Sequence, residues 1–396
     1  MAKERIGILG SAFDPIHDGH LQMALRALDS AQLNRLLVIP AADDAYKPCI
    51  AGQEDRWKMV VAACSQDPRL VPSRLEIDRN GTAYTVDTLL ALRKEYPKAD
   101  LLYLLGVDGV MKLKNWHRLK KVLSLCSFLV CSREGDVSPI DFHEELVRLQ
   151  DLGGQFVMLR MEPVDCSSSE IRSCLAAGRE PSGISVPIRE FCELKGLYGA
   201  PVRLSRASGW LDQLFFELKP RRFSHSLAVA AYARRLAGLH GISQKQAEEA
   251  GILHDCAKCL PLKEMQRIAL NHRLTEDPAF LESGALLHSI VGAQVARDRY
   301  GMEDPEVLEA IAYHNTGHSG MSRLAMCVCL ADSIEPTREN YPGLEEIRNL
   351  AETSLERALL KSLERTTSFV RQQGKYLHPQ TQGTIAWLRT LPECRS

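Results

Sequence analysis

Two groups of side chains with chemical potential lie far apart in this sequence. The first is Gly10-Ser11-Ala12-Phe13-Asp14-Pro15-Ile16-His17-Asp18-Gly19-His20, where a short apolar run hands over to a helical pattern. Two imidazoles three residues apart at such a junction can stabilise a phosphoryl centre while negative charge builds on its non-bridging oxygens. A helix start adds unpaired backbone N–H groups and the positive end of its dipole, and the glycines let a ligand approach the backbone closely. Far downstream, Ser167-Ser168-Ser169-Glu170-Ile171-Arg172 puts hydroxyl residues at another helix start with an arginine one turn in, a second phosphate clamp. Either feature alone is common in structural roles. Two of them, each at a strand-to-helix transition, favour phosphate chemistry.

The second group is His225, the pair His254-Asp255, His288, His314 and Asp332, all placed on expected helices. Neighbouring helical side chains splay by about 100°, so both members of the His-Asp pair can reach a site between helices. His225, His254, Asp255 and Asp332 suffice for one first-row divalent metal. His288 and His314 supply enough donors for a second, with Asp255 as the natural bridge. Two metals close together activate water and neutralise a leaving phosphate. A lone helical histidine is more often structural, and His240, His272 and His378 are read that way. His318, in a Gly-flanked loop just after His314, is a candidate substrate contact. Cys256-Ala-Lys-Cys259 is read as packing, because one cysteine pair makes a poor zinc site.

The elements that must hold these residues change character midway. In the first half, Ile6–Leu9, Arg35–Pro40, Leu70–Leu75, Leu101–Leu105, Phe128–Cys131 and Gln155–Leu159 read as short strands. Amphipathic stretches such as Leu21–Leu28, Asp55–Ala63 and Val86–Tyr96 alternate with them, which predicts an α/β Rossmann-like domain: a parallel sheet with helices on both faces. Its ligands belong beyond the carboxyl ends of the strands. A short linker follows Tyr198, and alternation then gives way to helical spacing in Trp210–Leu218, Ser224–Leu239, Gln244–Cys256, Ala285–Arg299, Pro305–His314, Ser322–Ile334 and Leu344–Gln372. The expected division is therefore an α/β domain over 1–199 and an all-α domain over 203–392.

Composition narrows the partners. The 396 residues carry a net charge of −1, which gives no reason to expect long nucleic acid. No apolar run approaches the ~20 residues that span a bilayer. The chain opens without a secretory apolar region, and its twelve cysteines read as reduced thiols in the cytoplasm.

Residues 1–198 resemble the bacterial nicotinate-nucleotide adenylyltransferases of the His-x-Gly-His nucleotidyltransferase superfamily. The family opens with Gly-Gly-x-Phe-Asp-Pro-x-His-x-Gly-His, with Ser11 here in place of the second glycine. Its closing Ile-Ser-Ser-Thr-x-Ile-Arg is matched by Cys166–Arg172, with Cys166 for isoleucine and Ser169 for threonine. Lys47, Arg56, Tyr84-Thr85-Val86-Asp87-Thr88, Gly106-Val107-Asp108, Trp116 and Arg133 fall at family positions, as does the ending Gly196-Leu197-Tyr198. The resemblance implies adenylyl transfer from ATP, accompanied by Mg2+, to nicotinate mononucleotide. His17 and His20 would contact the ATP phosphates, and Lys47 and Arg172 would help hold them. Asp108 would position a ribose, Trp116 would stack on the pyridine ring, and Thr85 would lie near its carboxylate. Gly10, Ser11, Phe13, Gly106, Arg133, Ser168 and Ser169 complete the implied substrate-contacting set. A sister enzyme using nicotinamide mononucleotide or a pantetheine phosphate is the alternative.

Residues from about 203 to 392 resemble the HD-domain phosphohydrolases, and among them the YqeK-type enzymes. The match rests on Ala250-Gly-Ile-Leu-His-Asp-Cys-Ala-Lys258, Ala310-Ile-Ala-Tyr-His-Asn-Thr-Gly317 and Leu330-Ala-Asp-Ser-Ile-Glu-Pro-Thr-Arg338. It implies a di-iron centre and symmetrical cleavage of diadenosine tetraphosphate, a dinucleoside polyphosphate, to two ADP. Lys258 and Arg338, each close behind a ligand, would contact phosphates. Hydrolysis of another nucleotide, or a non-catalytic nucleotide sensor, are the alternatives.

Overall fold

The computed structural model describes residues 3–42, 48–79, 84–132, 138–162, 164–374 and 376–395. The chain divides into two compact units, Met1–Pro201 and Val202–Ser396.

The first unit is built on six strands: β1 (Arg5–Ser11), β2 (Arg35–Pro40), β3 (Leu70–Pro72), β4 (Asp100–Gly106), β5 (Ser127–Ser132) and β6 (Phe156–Arg160). All pair in parallel, in the order β3-β2-β1-β4-β5-β6. Around them lie α1 (Asp18–Ser30), α2 (Gln53–Cys64), α3 (Thr85–Glu95), α4 (Val107–Lys112), α5 (Leu119–Leu125), α6 (Pro139–Asp151), α7 (Ser168–Ala176) and α8 (Val186–Leu194). Alternate residues of the central strands, among them Ile6 and Ile8, Leu37 and Ile39, Leu101 and Tyr103, and Phe128 and Val130, share one core with Leu89 of α3 and Val122 of α5. The intervening Leu36, Val38, Leu102, Leu104 and Leu129 are buried as well. A sheet covered on both faces needs such continuous apolar strands. The strand order reverses between β1 and β4, so the crevice beyond their carboxyl ends, at Ser11 and Gly106, is the natural ligand edge.

The second unit consists of α9 (Ala207–Glu217), α10 (Pro220–Leu239), α11 (Gln244–Leu253), α12 (Leu262–Asn271), α13 (Pro278–Leu281), α14 (Gly284–Tyr300), α15 (Pro305–Tyr313), α16 (Arg323–Ile334), α17 (Leu344–Ala351), α18 (Leu355–Gln372) and α19 (Pro379–Leu388). Its centre is the packing of α10 on α11 and α16, with α15 against α11, α14 and α16. At Gly251 of α11 an added Cβ would sit 2.7 Å from Ala230 Cα and 2.9 Å from Ala230 N. Only glycine lets these two helices approach so closely.

Some boundaries differ from the sequence reading. The run expected as one helix over Leu344–Gln372 breaks after Ala351, and Ser354 caps the second piece by accepting the Arg357 N–H. Helix α11 ends at Leu253, so His254 and Asp255 follow it rather than lie within it, and His314 likewise follows α15.

Candidate functional sites

In the α/β unit the reactive groups gather where β1 meets α1. His17 is the N-cap of α1, in extended backbone conformation. Its N–H donates to His20 Nδ1 at 3.3 Å, and the two ring centroids lie 3.8 Å apart. Because Nδ1 of His20 accepts, a neutral His20 carries its proton on Nε2. Cys166 Sγ lies 3.4 Å from His17 Nδ1. The second clamp comes to the same place. Ser167 caps α7 by accepting the Glu170 N–H, and the Ser168 hydroxyl donates to the Pro15 carbonyl at 3.1 Å. Arg172 donates to the Asp14 carbonyl at 2.7 Å and to the Ser169 hydroxyl at 3.2 Å. The starts of α1 and α7, 150 residues apart in sequence (167 minus 17), are thus bonded into one site.

Residues without an assigned chemical role brace it. The buried Asp14 carboxylate accepts the N–H groups of Ile50 (2.7 Å) and Ala51 (3.1 Å) and the Tyr198 hydroxyl (2.8 Å). Arg56, 1% exposed, donates to the carbonyls of Ala12, Ala41, Ala42 and Ala51 at 2.7–3.2 Å. That arginine welds the loops after β1 and β2 to the start of α2.

Across the crevice, Gly106 precedes α4, and an added Cβ there would meet the Asp108 carboxylate at 2.8 Å. Asp108 is exposed and pairs with Lys112 at 3.3 Å. Thr85 opens α3 and is half-buried. Trp116 is half-buried too, edge-on to Tyr103 with ring centroids 5.5 Å apart. Lys47 and Arg133 lie outside the described residues.

The helical unit brings its six expected ligands together. His225, His254 and Asp332 form one group and His254, Asp255 and His314 another, the ligand atoms of each lying within 4.8 Å of one another. His288 Nε2 stands 3.2 Å from Asp255 Oδ1 and 3.1 Å from His314 Nε2. The two oxygens of Asp255 face different partners, Oδ2 toward His254 (3.6 Å) and Oδ1 toward His288 and His314.

The helix ends explain the imidazole orientations. The last carbonyls of a helix lack backbone partners, and here ring N–H groups supply them. His254 Nδ1 donates to the Gly251 carbonyl and His314 Nδ1 to the Ile311 carbonyl, both at 2.8 Å. Each Nε2 is left as the lone-pair atom. His225 is held similarly, its Nδ1 3.1 Å from the buried Glu335 carboxylate and its Nε2 2.8 Å from Asp332. His254 Nε2 is buried and has no hydrogen-bond partner among the described residues. An orphaned buried lone pair is costly, and a cation coordinated there removes the cost. Three imidazoles backed by a carboxylate or a carbonyl, with two aspartates, fit a divalent transition metal.

The electrostatics agree with that fit. Burial pushes the His288 and His314 imidazoles down to about 4 and lowers His254 as well, keeping all three neutral. Burial opposes the charge on Asp255 and Asp332, but hydrogen bonds from His288 and His225 and the charges of Lys258 and Arg338 outweigh it and hold both carboxyls below the usual range. Three cations rim the cluster. Arg222 donates to Asp255 at 2.9 Å, Arg338 to Asp332 at 2.6 Å, and Lys258 Nζ lies 3.0 Å from His288 Nε2.

His318 is taken up locally, its ring nitrogens 2.8 Å from Glu309 and 3.0 Å from the Ser319 carbonyl. The Cys256 thiol donates to the Gly292 carbonyl, a packing contact. Glu335 and Arg222 were not singled out by sequence. Their signal was helical spacing, three residues after Asp332 and three before His225 respectively.

Comparison with known proteins gives a family for each half. The cytidylyltransferase-like family matches residues 8–174 and the HD domain matches 222–337. A nicotinate-nucleotide adenylyltransferase of Gloeobacter violaceus is 36% identical over 203 residues, covering 98% of that protein and 50% of this chain. The symmetrical bis(5'-nucleosyl)-tetraphosphatase of Bacillus subtilis is 37% identical over 174 residues, covering 91% of that protein and 43% of this chain. The chain belongs to both families, one in each half. A Mycoplasma genitalium protein whose name joins nicotinate-nucleotide adenylyltransferase and Ap4A hydrolase is 27% identical over 380 residues, covering 99% of that protein and 93% of this chain. The adenylyltransferase half therefore contains the β1–α1 site, and the tetraphosphatase half contains the histidine–aspartate cluster.

Proposed function

We propose that this chain is two enzymes in one polypeptide. The first half transfers the adenylyl group of ATP to nicotinate mononucleotide, giving deamido-NAD and pyrophosphate. The second cleaves diadenosine tetraphosphate symmetrically to two ADP. The reading is supported by the way each half draws residues far apart in sequence into one group. In one, the start of α7 is bonded to the loop that leads into α1. In the other, buried lone pairs converge around His254 Nε2.

In the transferase half, His17, His20 and Arg172, with Lys47, hold the ATP phosphates while a phosphate oxygen of the acceptor attacks the α-phosphorus and pyrophosphate leaves. The Nε2–H of His20 is a donor suited to a non-bridging oxygen. Ser168 and Ser169 line the same clamp, with Gly10, Ser11 and Phe13 along the loop. Gly106 and Asp108 take a ribose, and Thr85, Trp116 and Arg133 take the acceptor. Mg2+ accompanies ATP.

In the hydrolase half, His225, His254, Asp255 and Asp332 would hold one metal, and His288 and His314 would serve a second that shares Asp255, with iron the proposed occupant. When bound, the metal pair supplies the positive charge that activates water and neutralises a leaving phosphate. Arg222, Lys258 and Arg338 bind the polyphosphate, and Glu335 holds the His225 ring. No helix among the described residues is long and apolar enough to cross a membrane.

The test uses the full chain. With ATP, Mg2+ and nicotinate mononucleotide, chromatography should show deamido-NAD, abolished by His17→Ala alone. With iron or manganese and diadenosine tetraphosphate it should show ADP, abolished by Asp255→Ala alone. Equal turnover of nicotinamide mononucleotide, or activity only on pantetheine phosphate, overturns the first assignment. No ADP, or ADP unaffected by Asp255→Ala, overturns the second and favours a nucleotide sensor.

A further inference from the structure

Helix α19 lies outside the residues 222–337 that the HD domain matches, yet its side chains reach the turn that ends α15, just past His314. The Gln380 side-chain amide donates to the Thr316 hydroxyl at 3.0 Å and to the Gly317 carbonyl at 2.7 Å. One helical turn on, the Thr384 hydroxyl lies 3.1 Å from the Thr316 carbonyl and 2.9 Å from the Gln380 carbonyl. Thr316 and Thr384 are both buried, so a bond lost between them leaves a carbonyl without a partner away from water. Gly317 turns the chain with φ at +62°, and its N–H closes the turn on the Tyr313 carbonyl at 2.8 Å. An added Cβ at Gly317 would stand 2.6 Å from the Thr384 methyl group, so α19 packs directly on that turn. The start of α19 is pinned separately. His378 Nδ1 accepts the Gln380 N–H at 3.1 Å, and its Nε2 lies 3.0 Å from the Asp277 carboxylate at the start of α13.

We propose that α19 fixes the place where α15 stops and so aims His314 at the second metal, with Gln380 and Thr384 as positioning residues. This rests on the two-metal reading of the hydrolase half. The His314 ring is oriented by the Ile311 carbonyl, which is free to take the ring N–H because the chain leaves the helix there. Without the two side chains of α19 the turn over Thr316 and Gly317 is free to rewind or fray, and His314 Nε2 loses its fixed place. Ligand geometry tolerates only about 0.5 Å of such error. His225, His254 and Asp332 are placed by α10, the end of α11 and α16 instead, so the effect falls on one metal of the two.

Thr384→Val keeps the shape of the side chain and removes its hydroxyl, whereas Thr384→Ser keeps the hydroxyl. Full chains are titrated with manganese against a chelating dye, which reads the number of ions bound and the affinity of each. Wild type and Thr384→Ser should bind two ions alike. In Thr384→Val the affinity of the weaker ion, which has fewer ligands, should fall about tenfold or more, and that of the tighter ion should stay within about twofold. Gln380→Ala, at a less buried position, supplies the second arm and should act in the same direction. Arg389→Ala breaks only the exposed pair of α19 with Glu364 and should change neither affinity. Unchanged binding in Thr384→Val and Gln380→Ala, equal weakening of both ions, or the same loss in Thr384→Ser or Arg389→Ala each overturn the proposal and leave α19 a packing element. A wild-type chain that binds a single ion would instead overturn the reading on which it rests.

Discussion

Gly251→Ala sets two known effects against each other, and the structure decides between them. In an exposed helix interior, alanine in place of glycine stabilises by about 1 kcal/mol. At Gly251 the new methyl carbon would lie 2.7 Å from Ala230 Cα, 2.9 Å from Ala230 N and 3.2 Å from Val229 C. Carbon atoms pack at roughly 3.5–4.0 Å, and these partners are backbone atoms that cannot rotate away. Helices α10 and α11 must separate by about 1 Å, an overpacking that costs about 1–3 kcal/mol. We expect a net loss of about 1–2 kcal/mol, or about 2–8 °C in the melting of a unit this size. The same displacement parts His225 on α10 from His254 just beyond α11, whose ring centroids are 5.2 Å apart. Ligand sets tolerate about 0.5 Å of error, so metal affinity should fall at least about tenfold, a loss comparable with that for supporting residues. Calorimetry of the full chain with and without manganese identifies the metal-sensitive transition, and metal analysis after dialysis reads occupancy. Gly209→Ala, in α9 with open space around its Cβ position, is the matched control and should be neutral or stabilising. If Gly251→Ala stabilises as much as Gly209→Ala and retains full metal, the close-contact argument is wrong.

Other perturbations separate the halves. Arg56→Lys removes the guanidinium fork that satisfies four carbonyls, and leaving them buried should cost about 2–4 kcal/mol. Adenylyl transfer should drop while tetraphosphate hydrolysis persists, and equal loss of both activities in parallel assays would refute that. Glu335→Gln keeps the size of the group behind His225 but loses its charge, so metal affinity should fall about 10- to 100-fold, measured by competition with a chelating dye; unchanged affinity rejects the role. In metal-stripped protein, His288 and His314 stay neutral down to about 4, whereas unfolded imidazoles take up protons near 6.5. The unfolded state therefore binds more protons between those values, and each histidine withdraws on the order of 3 kcal/mol of stability as pH falls from 6.5 to 4. His225, raised above its ordinary value by Asp332 and Glu335 against the effect of burial, runs the other way, contributing stability that is lost as pH rises through its folded value. Denaturant melts at pH 7 and 5 should show the metal-stripped helical unit less stable at pH 5, and the reverse order would contradict the assignment.

The parts of both sites that sequence revealed are those encoded as residue type at fixed spacing. The His17–His20 pair at a helix start, the Ser167–Arg172 clamp and the histidine–aspartate series could be read because each is local or falls in a fixed order along regular helices. Parallel strands announced themselves as apolar runs for the same reason. What stayed hidden depends on contacts between segments far apart. Arg56 falls at a family position, but its task shows only in the fold, where 1% exposure and four carbonyl partners make it the brace of two loops. Glu335 carries only its spacing from Asp332 as a signal, while the group it holds, His225, lies 110 residues earlier.

The orientation of the imidazoles shows most clearly why spacing was not enough. His254 was expected within a helix over Gln244–Cys256 and His314 as the last residue of one over Pro305–His314. Each instead lies one residue past its helix, where the carbonyl three residues back has lost its backbone partner and takes the ring N–H. The end of the helix thus selects the tautomer, and the tautomer leaves Nε2 as the atom that can bind a metal. Extending either helix by a full turn would keep the histidine in the sequence pattern and return the carbonyl that aims it to the backbone ladder. The ligand set is therefore specified as much by where α11 and α15 stop as by the histidines themselves.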